Sequence, residues 1–222
     1  VMRCLTLADG LREQGFRSVF ICRHLEGHLG AYILQRGYEV YWIESDVPLQ
    51  AIGEEWERDA ENLEKILTQL GVQPDWLVVD HYGIDRRWER KVKPRVGRIL
   101  VIDDLANREH AADLLLDQNE LTDTTTRYRE LVPEYCRVLL GPRFLLLRPS
   151  FYKARKGYRP RDGKVRRLLV FFGGSDPTCE TEKALKALAD MGRDDIELHV
   201  VIGEANPRRE QVRLVCSQLR RA

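Results

Sequence analysis

A chain of 222 residues with 36 Lys and Arg against 35 Asp and Glu has a formal net charge of +1, which argues against a nucleic-acid clamp, an acidic tail or a polybasic membrane anchor. Its 43% apolar and 32% charged residues suit a core under a solvated surface, and no apolar run approaches the about 20 residues of a spanning helix. Five scattered cysteines without a CxxC pair support neither a disulfide framework nor a zinc site, and point to a reducing cytoplasm.

The chain opens in a helical pattern, with Val1, Leu5 and Ala8 on one stripe and Gly15 as the stop. Strands are predicted over 18–22 and 39–43. His24 and His28 lie four apart between them, but Gly27 and Gly30 interrupt any helix there, so a metal pair is not supported. Trp56, Ala60, Leu63, Leu67 and Leu70 step by four and three, which predicts a helix closing at Gly71. Four more strands are predicted over 76–80, 99–103, 114–117 and 137–140; several are apolar nearly throughout, as strands of a doubly covered parallel sheet are.

Residues 153–164 are basic and nearly free of aliphatics and hold Gly157, Pro160 and Gly163, so they read as a connector. Tyr158 is the one aromatic among them, which favours a solvated linker over an RNA-binding strip. Beyond it come a strand over 168–172, a glycine-rich turn, a helix carrying Ala184, Ala187, Leu188 and Met191, and a strand over 197–202 in which His199 is structural. The alternation predicts an α/β fold of two Rossmann-like domains: 1–152, the linker 153–164, and 165–222 as the beginning of the second. Both domains read as incomplete. No strand precedes the opening helix, and two strands are too little sheet for a self-sufficient second domain.

Three segments carry candidate chemistry. In Phe171-Phe172-Gly173-Gly174-Ser175-Asp176-Pro177-Thr178 a strand feeds two glycines and then a helix start. That is either a plain capped turn, or a place where backbone amides cradle an anion. It is neither a Walker A loop nor a GxGxxG, which disfavours P-loop and dinucleotide chemistry. Asp80-His81-Tyr82-Gly83-Ile84-Asp85 follows a strand, and strand carboxyl ends are where open α/β sheets bind ligands. Asp80, His81 and Tyr82 could supply a base, a proton donor and a sugar contact, or simply satisfy a loop. Asp103 and Asp104, also at a strand end, point to opposite sides of an extended chain, which predicts a turn network and no metal site. The cysteines read as core.

These segments carry a resemblance. Met2-Arg3-Cys4-Leu5-Thr6-Leu7-Ala8, Leu25-Glu26-Gly27, the 80–85 segment, Ile102-Asp103-Asp104-Leu105-Ala106-Asn107-Arg108, Asp113-Leu114-Leu115-Leu116-Asp117-Gln118-Asn119, Gly141-Pro142, Arg148-Pro149-Ser150-Phe151 and Phe172-Gly173-Gly174-Ser175-Asp176-Pro177 occur in family order over almost the whole chain. With them the chain resembles the UDP-2,4-diacetamido-2,4,6-trideoxy-β-L-altropyranose hydrolases of bacterial pseudaminic acid biosynthesis. These are relatives of spore-coat polysaccharide proteins and, more distantly, of the peptidoglycan N-acetylglucosaminyltransferase.

The resemblance implies a GT-B architecture and cytoplasmic, metal-independent hydrolysis of a UDP-sugar to UDP and free sugar, supplying a nonulosonic acid for flagellin and surface glycosylation. Water would attack the anomeric carbon with inversion. It implies Arg3, Gly173, Gly174, Ser175 and Asp176 as substrate-binding residues, with Tyr82, Asp80 and His81 supporting catalysis. No cofactor, nucleic acid or membrane is implied, and a monomer is expected. The family motif Gly-x-Gly-His-x-x-Arg is met here only from Val1-Met2-Arg3, so the water-activating histidine would precede Val1 and the chain by itself is expected to be inactive. Cys179 stands where the family often carries Asn, with Thr181 retained. A GT-B transferase and a non-catalytic nucleotide-sugar binding module are the alternatives.

Overall fold

The opening stripe folds as α1, Met2–Glu13, which buries Leu5 and Ala8 and runs out at Gly15, whose φ of 85° lies in the left-handed region that glycine tolerates. The structure, a computed structural model, describes residues 1–25, 27–43, 53–120, 126–193, 195–203 and 206–219. Glu26, part of the Leu25-Glu26-Gly27 match, lies outside the described residues. The chain divides into two units, Val1–Lys156 and Gly157–Ala222.

In the first unit β1 (Val19–Arg23) and β2 (Glu39–Ile43) pair in parallel, with α2 (Gly30–Gln35) between them in sequence. A second sheet carries β3 (Trp76–Val79), β4 (Arg98–Ile102), β5 (Leu114–Asp117) and β6 (Arg137–Leu140) side by side in that order, all parallel. Helix α3 (Trp56–Leu70) precedes β3, and α4 (Arg86–Val92) links β3 to β4. Gly71, at a φ of 64°, ends α3, and Asp85 starts α4 by accepting the Arg87 amide at 2.8 Å.

Strand alternation decides which helix covers which face. Phe20 and Cys22 pack with Leu5 and Ala8 of α1, whereas Ile21 points the other way, into the cluster of Ala60, Leu63 and Val79. In β4, Leu100 and Ile102 meet Cys4 and Leu7 of α1, and Ile99 and Val101 join the α3 and α4 side. Helices therefore cover both faces, in three layers. Ile99 and Leu115 are fully buried. Burying side chains of this size contributes about 2 kcal/mol each.

In the second unit β7 (Arg167–Val170) pairs in parallel with β8 (Glu197–Val200), with α6 (Glu180–Asp190) between them and α7 (Arg209–Gln218) following. Two details differ from the sequence reading. The strands predicted to reach 80, 103, 172 and 202 stop at Val79, Ile102, Val170 and Val200; Asp80 and Asp103 leave the ladder at once, whereas β7 and β8 end two apolar residues short of the prediction. The basic stretch predicted as connector opens inside α5 (Pro149–Lys156), so Lys153 to Lys156 are helical, and the boundary between units falls after Lys156.

Candidate functional site

Asp80 and Asp103 each follow the last residue of a strand, and Asp117 ends one, so β3, β4 and β5 deliver three carboxylates to the same end of the sheet. The start of α1 meets them there. Arg3 donates to Asp80 Oδ1 from Nη2 at 2.7 Å and from Nε at 3.1 Å, and from Nη1 to Asp104 Oδ2 at 3.2 Å. Cys4 Sγ donates to the other Asp80 oxygen at 3.1 Å, and the Tyr82 hydroxyl donates to Asp104 Oδ2 at 3.2 Å. One guanidinium thus ties two strand-end carboxylates together, and the Val1 ammonium lies 3.6 Å from Asp80 Oδ2. Tyr82 itself is 55% exposed, its ring open to solvent.

Beneath lies a buried layer. Asp103 faces inward, opposite to its neighbour Asp104, as alternation along an extended chain requires. Its Oδ2 accepts from the Ala106 amide at 2.9 Å and the Tyr128 hydroxyl at 3.0 Å, and that same hydroxyl lies 3.1 Å from Asp117 Oδ2. Arg127 joins Asp117 to the Asp104 carbonyl, at 3.1 and 2.7 Å. Arg23, at the end of β1, pairs with buried Asp59, which also accepts from Trp88 Nε1 at 2.8 Å.

The electrostatics separate the roles. Burial pushes the Asp80 carboxyl up, but hydrogen bonds from Arg3 and Cys4 outweigh it and hold the group below the usual carboxylate range. Asp80 is therefore an ionised anchor and no proton donor near neutral pH. Burial lowers the His81 imidazole, the Arg23 and Arg108 cations add to this, and Asp80 opposes them, so the ring stays neutral at pH 7. Its Nδ1 accepts the Gly83 amide at 3.0 Å, which leaves the proton on Nε2. A ring so arranged carries its proton on Nε2 and has its Nδ1 lone pair already engaged. Burial and the adjacent Asp80 push the Cys4 thiol up to about 12, so it is no nucleophile. The hydrogen bond to Asp104 raises Tyr82, which stays a phenol.

The Gly-Gly turn lies in the second unit. Gly173 has a φ of 82°, and a Cβ built on Gly174 meets nothing within 4 Å, although the Gly174 backbone packs against Gly203. Asp176, 6% exposed, accepts the amides of Glu180 and Thr181 at 2.9 Å each. It caps α6 from four residues ahead, where Ser, Asp or Thr capping from within the turn was one of the two readings. Its carboxylate is already engaged by the helix, so what Asp176 gives a ligand is the shape of the turn. Cys179 sits at a φ of 57°, the left-handed region that Asn enters more readily than Cys.

The structure therefore gathers Arg3, Asp80, His81 and Tyr82 in one place, and Gly173, Gly174, Ser175 and Asp176 in one turn of the other unit. Asp104, Arg108, Arg127 and Tyr128 were missed. For Asp104 the signal was present, since its alternation with Asp103 puts it on the open side. Arg108, Arg127 and Tyr128 reach their partners across 10 to 27 residues, which no local pattern reveals.

No protein-family profile matches the chain. It is 24% identical over 208 residues, 91% of this chain and 39% of the relative, to an uncharacterized protein of Methanocaldococcus jannaschii. It is 35% identical over 101 residues, 45% of this chain and 35% of the relative, to the UDP-2,4-diacetamido-2,4,6-trideoxy-beta-L-altropyranose hydrolase of Campylobacter jejuni. The spore coat polysaccharide biosynthesis protein SpsG of Bacillus subtilis is 28% identical over 216 residues, 93% of this chain and 61% of the relative. The chain thus spans between 35% and 61% of the length of these relatives. Among solved structures, MurG of Acinetobacter baumannii superposes with a TM-score of 0.55 at 13% identity, over 97% of this chain and 58% of that one. The fold is α/β and GT-B-like, built of Rossmann-like domains.

Proposed function

We propose that the chain is part of a hydrolase that cleaves a UDP-linked diacetamido-trideoxy hexose at its anomeric carbon, giving UDP and free sugar. The observation that carries this reading is the Arg3, Asp80, Asp104 and Tyr82 cluster, one cation shared by two carboxylates at the carboxyl ends of β3 and β4. It presents carboxylate and phenol oxygens, the groups that meet sugar hydroxyls, so we assign it to the sugar. There it accepts hydrogen bonds from hydroxyl and acetamido groups and favours positive charge developing at the anomeric carbon. The resemblance assigns the diphosphate contacts to Gly173, Gly174 and Ser175, ahead of α6 in the second unit. Tyr82 and the His81 Nε2–H donate toward the sugar, and Asp80 holds Arg3 in place. His81, with Nδ1 engaged by the Gly83 amide, is not assigned as the water-activating base. No metal is called on.

The 35% identity to the Campylobacter hydrolase supports the hydrolytic reading, whereas the longer match to SpsG favours a second one, transfer of the sugar to a polysaccharide acceptor. The test is acceptor-free UDP release by a protein that carries this chain at the full length of its relatives. One free sugar per UDP, undiminished by EDTA, supports the hydrolase. UDP released only when an acceptor is added supports the transferase.

A further inference from the structure

Arg108 spans two strand-end loops with every nitrogen of its guanidinium. Nε donates to the Ile84 carbonyl at 2.8 Å and Nη2 to the His81 carbonyl at 3.1 Å, both in the loop after β3. Nη1 donates to Asn107 Oδ1 at 3.1 Å and lies 2.8 Å from Asp103 Oδ1, after β4. Among the described residues Asp103 Oδ1 makes no hydrogen bond and meets Arg108 as an ion pair. The residue is fully buried, and the Ala106 amide and the Tyr128 hydroxyl hold its second oxygen. The 81–84 loop is therefore hung from a fixed carboxylate by a planar fork whose geometry sets the spacing of the two carbonyls. Between those carbonyls lie the Gly83 amide, which donates to His81 Nδ1 at 3.0 Å, and Tyr82, which donates to Asp104. A Cβ on Gly83 would stand 3.1 Å from His81 Cε1, so ring and backbone already pack closely.

We propose that Arg108 is a positioning residue for the sugar-facing site: by clamping the His81 and Ile84 carbonyls to Asp103 it fixes the His81 ring in its Nε2–H tautomer and aims the Tyr82 hydroxyl at Asp104. This rests on the site proposed above for its catalytic meaning, but the clamp is tested without turnover. Lysine can keep the charge beside Asp103 but cannot serve both carbonyls at once.

The experiment is 15N-histidine NMR on this chain, with His81 assigned through His81→Gln and the buried His110 signal reporting on the fold. The unsubstituted chain is expected to show His81 as one tautomer, protonated on Nε2, and a slowly exchanging Arg108 Nε–H. In Arg108→Lys and Arg108→Gln, with His110 unchanged, His81 becomes a mixture of tautomers and the Gly83 amide exchanges about tenfold faster. A single His81 tautomer and unaltered Gly83 exchange in a folded Arg108→Lys overturn the clamp. So does a rapidly exchanging Arg108 Nε–H in the unsubstituted chain, which needs no variant to fold. In the longer protein, the same substitution lowers UDP release at saturating UDP-sugar about tenfold while UDP affinity holds. A clamp seen by NMR with no release from the UDP-sugar by the unsubstituted longer protein would count against the hydrolase alone.

Discussion

Arg3 serves two carboxylates at once, and removing either one leaves the other with a better-matched cation. The cost of each removal therefore differs. Asp80 takes two of the three Arg3 hydrogen bonds and the Cys4 thiol and is 15% exposed, so Asp80→Asn should lower stability by about 2 kcal/mol, read from the urea midpoint. The pH dependence follows from the sign of its shift. The folded group lies below its ordinary value of 3.8, so its contribution is complete above about pH 4 and fades as pH falls through the folded value. The gap between the parent chain and Asp80→Asn should accordingly shrink below pH 4, and a gap that is constant from pH 7 to pH 3 would place the effect elsewhere. Tyr82 is the contrasting case. Its ring is 55% exposed, so Tyr82→Phe should leave stability within about 0.5 kcal/mol while lowering turnover of the longer protein at least about tenfold. Normal turnover in that variant would make the hydroxyl a surface group.

At the scale of elements, the turn between β7 and α6 contains two glycines with separable duties, and a third stands against them. A side chain at Gly174 meets nothing of the protein within 4 Å, whereas a Cβ at Gly203 would stand 2.1 Å from the Gly174 carbonyl oxygen. Gly203 is needed for packing against the Gly174 backbone, whereas the Cβ position of Gly174 is unobstructed. Gly174→Val should therefore fold normally and weaken UDP binding, and Gly203→Ala should destabilise the second unit outright, as thermal unfolding and UDP titration would show. UDP affinity unaltered by Gly174→Val would move the diphosphate away from this turn. The strands, α3 with its stop at Gly71, and α1 with its stop at Gly15 were legible in the sequence, because apolar spacing and left-handed glycines are local signals. Strand ends were overrun, since a β-ladder stops where its partner strand turns away, and the partner is far off in sequence. The connector was read a turn too early because its basic residues also suit the last turn of a helix, as in α5.

At the scale of the molecule, what was legible was which residues stand at the strand ends and not how they are wired. Asp80, His81 and Tyr82 could be picked out because they follow an apolar strand, and strand ends in open α/β sheets meet ligands. That Arg3 would cross from α1 to bind Asp80 and Asp104, 77 and 101 residues away, could not be read, nor that His81 would be fixed as a donor. These follow only once α1 lies across the sheet with its first turn at the strand ends. The gathering of carboxylates at the strand ends of the first unit is the basis for assigning the sugar there. It also predicts which bond breaks. The most direct test is cleavage of the UDP-diacetamido sugar in H2-18O by the longer protein, without acceptor, followed by mass spectrometry of both products. The label is expected in the anomeric hydroxyl of the sugar, with unlabelled UDP. Label in the phosphate of UDP would mean that water attacks phosphorus, and would contradict a site built around the anomeric carbon.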